Sequence, residues 1–154
     1  MNKLFMAAAV LAISASSCKK TETNASPNTE AITVIDAKLL SNDWTNEMKL
    51  DNDKKWTANE ETTTEVAKMR ELIKVLPTTT IGEYQKLGAD LTLEKNLLVK
   101  FCTMEGAAHD HLHTFLNALT EKIDALQNIK STEQGYEIRK AINENLQLFD
   151  TYFE

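Results

Sequence analysis

The chain has 154 residues, a formal charge of −6, four Gly, two Pro, two Cys and three His. That length holds one ordinary domain or a small domain with a tail, and so few Gly and Pro exclude an all-β chain of many tight turns. The acidic balance excludes a nucleic-acid partner, which needs a basic face, and two Cys exclude a disulfide framework.

Residues 1–17 read as an export signal. Lys3 supplies a positive start, Leu4 to Ile13 are apolar throughout, and Ser14-Ala15-Ser16-Ser17 are small. The apolar stretch is too short to cross a bilayer as a helix. Small residues placed directly before Cys18 resemble the lipobox of bacterial lipoproteins, although Ala15 stands where Leu is usual. With the following Lys19-Lys20, the segment is similar to the looser lipoboxes of Bacteroidetes-type bacteria. That resemblance implies cleavage before Cys18, acylation of Cys18 and a lipid tether to the outer membrane. Cleavage would remove Lys3 and no acid, leaving the remaining chain one unit more negative.

Residues 18–30 read as the acylated Cys18 followed by a flexible spacer, since Lys19 to Glu30 has no apolar side chain larger than Ala apart from Pro27. Residues 31–57 read as an irregular lead-in, in which Ala31 to Leu40 fits a short strand or the start of a helix. Leu50 to Trp56 reads as a turn. Asp51-Asn52-Asp53 invites a calcium loop, but the central Gly is missing and the twelfth position is Thr62, not Glu.

From residue 58 the pattern is helical. Val66, Met69, Ile73 and Leu76 share one face before Pro77 stops the run. Thr80 and Glu83 have capping-box spacing, and Tyr84, Leu87, Leu91, Leu98 and Phe101 follow on one face. His109, Leu112, Leu116, Leu119, Ile123 and Leu126 form the cleanest stripe in the chain. Ser131 to Gln134 offers a second capping box, ahead of Ile138, Ile142, Phe149 and Phe153. These stripes are too narrow to stand alone in water, so residues 58–154 are expected to form an all-α, antiparallel four-helix bundle. The stripes on either side of Gly106 share one heptad phase. An unbroken helix from 80 to 129 is nevertheless too long for so small a domain, which places a break at Gly106.

All three histidines fall in His109-Asp110-His111-Leu112-His113, just after Cys102, Met104 and Glu105. His109 and His113, four apart on a helix, bring two imidazoles to one face, while His111 points away. Thiolate, thioether and imidazole make a soft donor set, so Cys102, Met104, His109 and His113 are candidate ligands for a metal ion. Copper suits the set best, and zinc suits two His and one Cys. The structural alternative makes His109 and Cys102 core residues and Met104 a gap filler. A b-type haem on Met104 or His109 is a third reading.

Enzymatic readings are weaker. Cys102 with His109 or His113 superficially resembles a nucleophile and its base. No side chain is placed to orient the imidazole, and no oxyanion loop or phosphate-binding Gly loop is visible. The expectation is therefore a non-enzyme.

Cys102-Thr103-Met104-Glu105-Gly106, followed by His109-Asp110 and Leu112-His113, resembles a segment of small Bacteroidetes-type envelope lipoproteins. Trp56 to Thr62 is similar to a second block of that group. The resemblance implies a helical bundle, an envelope location and a Cys-Met-His segment acting as one unit. It supplies no activity.

Overall fold

The computed structural model describes residues 35–154. The signal peptide, Cys18 and the spacer lie outside the described residues. The chain forms α1 (Ala37–Leu40), a 3-10 turn (Asp43–Glu47), α2 (Glu60–Val75), α3 (Ile81–Phe101), α4 (Gly106–Gln127) and α5 (Thr132–Tyr152).

Local chemistry sets the helix ends. Helix α2 stops at Leu76, whose successor Pro77 cannot continue it. At the start of α3 the expected capping box is present: Thr80 accepts from the Glu83 N–H at 3.2 Å, and Glu83 accepts from the Thr80 N–H at 2.9 Å. Ser131 caps α5 by accepting from the Gln134 N–H at 3.3 Å, and Gln134 accepts from the Lys130 N–H at 2.7 Å. Between α3 and α4 the chain reverses through residues 102–105. Gly106 then opens α4 at φ +60, a left-handed conformation that costs other residues strain.

Each long helix packs on its neighbours in sequence, and α2 also meets α5, which closes a four-membered ring. The short connections make successive helices antiparallel. Val66, Met69, Ile73, Leu87, Leu91, Leu98, Leu112, Leu119, Ile123, Leu126, Ile142 and Leu146 fill the centre, all essentially buried. Burying one such side chain stabilises the fold by roughly 1.5–3 kcal/mol before entropy is counted. Phe101, expected on the apolar face of α3, is instead 45% exposed at the last position of that helix. Two helix crossings are tight. A Cβ at Gly135 would stand 2.5 Å from the Tyr84 ring, and one at Gly88 would stand 2.7 Å from Gln127 Cγ.

The lead-in segment folds against the bundle. Trp44, on the 3-10 turn, meets Phe115 edge-on at 5.7 Å, and Phe115 continues through Phe149 to Phe153. The reading of Leu50 to Trp56 as a turn holds at its tip. Asp51 and Lys54 exchange backbone hydrogen bonds of 2.8 and 3.0 Å across Asn52 and Asp53, both at positive φ. The backbone of Trp56 pairs in parallel with the C-terminal segment: its N–H donates to Tyr152 O at 2.8 Å, and its carbonyl accepts from Glu154 N at 3.0 Å.

One charged group lies deep in this packing. Lys122 is 1% exposed, and its Nζ donates to Asn145 Oδ1 at 2.8 Å and to Asn42 Oδ1 at 3.4 Å. It thus joins α4, α5 and the lead-in. Both acceptors are neutral amides, so burial pushes the Lys122 ammonium down to about 8.

Between about pH 8 and 10.5 the unfolded chain holds a proton on Lys122 that the folded chain has released, so stability must rise with pH. The gain is up to about 3 kcal/mol, and urea denaturation at stepped pH will show it in the wild type and not in Lys122→Met. At the reversal, Gly106→Ala meets open space but an unfavourable φ, and should cost about 1–2 kcal/mol in the same assay. Gly82→Ala, also in open space but within α3 without a positive φ, should be neutral or stabilising by up to about 1 kcal/mol.

Candidate metal centre

The site is built where α3 ends and α4 begins. Cys102 is the capping residue after α3, a half-buried free thiol. Asn59, ahead of α2, donates to the Phe101 carbonyl at 3.1 Å, which satisfies one of the terminal carbonyls of α3 beside the thiol. His109 lies in the first turn of α4 and His113 one turn later. Their rings are nearly perpendicular, at 88°, with centroids 4.4 Å apart and Nε2 atoms 3.1 Å apart. His109 is half-buried and His113 exposed.

Cys102, His109 and His113 border one small cavity of about 30 Å³, completed by Val99, Leu112 and Leu116. This volume matches one water molecule or one ion. Its remaining walls, Val99, Leu112 and Leu116, are aliphatic. Met104 does not line the cavity. It is half-buried and packs against the bundle core, as its gap-filling chemistry allows. Among the described residues, no three His, Cys, Asp or Glu side chains converge closely enough to enclose an ion. The structure therefore brings two of the four expected donors into mutual contact and the thiol to the border of their cavity.

The imidazole pair has a defined capacity. With metal–nitrogen bonds of about 2.0–2.1 Å, a 3.1 Å separation subtends an angle of about 95–100°. That bite lies between the adjacent-position angles of a square-planar and a tetrahedral ion, and short of the wider angle of a trigonal one. A linear two-coordinate ion would need the nitrogens about 4 Å apart. The same contact also serves as a hydrogen bond when one ring nitrogen carries a proton and the other does not.

His111 points away from the pair, as the helical spacing predicts, and packs on Trp56 with centroids 5.3 Å apart. Trp56 is held in turn by its Nε1, which donates to Lys49 O at 2.7 Å. Sequence reasoning missed the Trp56 contact and the wall residue Val99. Val99 sits one turn before Cys102, a spacing that signals a shared face.

Perturbed carboxyls lie elsewhere. Between α2 and α3, the Lys68 ammonium donates to Glu65 at 2.9 Å and holds its carboxyl below the usual range. Hydrogen bonding to Glu65, reinforced by burial, pushes the Glu94 carboxyl above it.

Among the described residues, no helix is long and apolar enough to cross a membrane. Comparison of the chain with protein-family models, with curated proteins and with solved structures gives no match.

Proposed function

We propose that this chain is a lipid-anchored, non-enzymatic envelope protein that binds a soft metal ion, copper before zinc, at the α3–α4 reversal. In this reading His109 and His113 grip the ion, Cys102 closes on it as a third donor, and Met104 is available as a fourth. One observation carries the proposal: the two Nε2 atoms stand 3.1 Å apart at a cavity that also borders the chain's free thiol. The donor set fits a soft ion in its chemistry, and its two imidazoles fit in geometry. Cys102 sits at the end of α3, at the start of a connecting segment rather than inside a helix. The anchoring part of the proposal rests on the lipobox-like segment ending at Cys18.

A second reading has its own observation. The hydrogen bond available to His109 and His113 needs no metal, and Cys102 and Met104 both pack against the core. In that reading the segment is structural, and the lipoprotein acts through a protein partner.

Competition with a coloured Cu(I) chelator separates the two. The purified chain should withdraw Cu(I) with a Kd below about 1 µM, and His109→Ala or Cys102→Ser should weaken this at least about tenfold with helix content unchanged. Failure of the wild type to compete would refute the metal reading. His109→Leu adds a second measure: a gain in thermal stability with no change in copper affinity favours the structural reading.

A further inference from the structure

On the opposite side of the ring, α2 and α5 leave a groove of about 530 Å³. Its lining carries Arg70, Lys74, Arg139 and Lys140 with one carboxylate, Glu71, while Asp150 and Glu144 pair with Arg70 and Lys140 from outside the lining. Against the three carboxylates that these cations meet, one positive charge is in excess, in a chain whose net charge is −6. Such a patch raises the local concentration of anions, which the remainder of the surface repels.

The two arginines are held in place. Arg70 Nη2 donates to Leu146 O at 2.6 Å and to Asp150 Oδ1 at 2.9 Å. Arg139 Nη2 donates to Ile73 O at 2.6 Å. Each guanidinium is therefore pinned by a carbonyl of the facing helix, and much of the rotamer entropy of binding is already lost. Both Nε–H groups are buried without an acceptor. Among the described residues Arg139 forms no ion pair, because its partner is a carbonyl and not a carboxylate. Lys74 and Lys140 make only long contacts of 3.7 and 3.9 Å to Glu71 and Glu144 on their own helices. Exposed pairs of that kind are weak and open readily for a competing anion.

The rest of the groove is apolar or neutral. Ile73 contributes to the wall, and Tyr136, 56% exposed, offers a ring. The volume falls within the range of small-molecule sites. Arginine presents a planar fork that matches carboxylate and phosphate oxygens, and lysine adds compact charge.

We propose that the α2–α5 groove binds a small soluble organic oxyanion, a phosphate monoester or a carboxylate on an apolar body. Arg139 and Arg70 take the oxygens, Lys74 and Lys140 supply charge, and Tyr136 covers the apolar part.

Phenyl phosphate, benzoate and inorganic phosphate serve as probes, titrated into the full chain at low salt and followed by calorimetry and by amide shifts. Phenyl phosphate or benzoate should bind with a Kd of about 1 mM or tighter, shift α2 and α5 amides, and exceed inorganic phosphate in affinity. Arg139→Gln should weaken the tighter probe at least tenfold. Arg139→Gln also removes the tie to Ile73 O, so the double variant Lys74→Gln/Lys140→Gln provides a test in which only exposed same-helix pairs are lost. It should weaken binding at least threefold, while Lys86→Gln on α3 leaves it unchanged. Equal binding by wild type and both groove variants would overturn the proposal. So would inorganic phosphate binding as tightly as either organic probe, or the absence of binding by both organic probes.

Discussion

The chain reversal between Phe101 and Gly106 is the constraint on which the rest of the molecule depends. A helix that continued through it would keep a single apolar stripe facing one way for some fifty residues, about 75 Å, with nothing in the domain long enough to cover it. Turning the chain back lays α4 along α3 and lets each stripe bury the other. Only a glycine takes φ +60 at that point without strain, and nothing crowds Gly106, so its role is conformational and not steric. The same reversal makes the candidate site. On a continuous helix Cys102 and His109 would stand two turns apart, whereas here they border one cavity.

The bundle is held by apolar burial, but its ties between elements are polar. Lys122 reaches Asn145 and Asn42, Arg139 reaches the backbone of α2, and Arg70 reaches the backbone of α5. Each tie joins elements distant in sequence and satisfies a donor that burial would otherwise leave costly. A buried ammonium held by two amides contributes less stability than an aliphatic side chain of the same volume. What it adds is a polar tie between helices α4 and α5 and the lead-in. The lead-in segment is thereby part of the fold, with Trp44 completing the aromatic row that runs through Phe115 and Phe149.

The two proposed sites occupy opposite interfaces of the ring and use opposite chemistry. At the α3–α4 end, two imidazoles and a thiol border a cavity the size of one ion, walled otherwise by aliphatic groups. Between α2 and α5, fixed cations line a groove large enough for an organic molecule. Neither site draws on the other's residues, so either function can be tested without disturbing its counterpart.

The sequence by itself determined the four long helices, the capping box at Thr80 and the break near Gly106, because these follow from side-chain spacing and local hydrogen bonding. It also determined that His109 and His113 share a face and that His111 does not, since helical geometry alone sets that. It misread Phe101 as core, because periodicity does not reveal where a helix runs past its neighbours. It assigned no place to Lys122 or Arg139, although Lys122 is in phase with Phe115, Leu119 and Leu126. Residue type argued for solvent, while position argued for burial. Only the tertiary structure decided between them, by supplying amide and carbonyl partners from elements 23 to 80 residues away. It likewise separated Met104 from the cavity and gathered four cations from two distant helices into one groove. Both outcomes depend on which faces meet across the ring, and no local pattern encodes that.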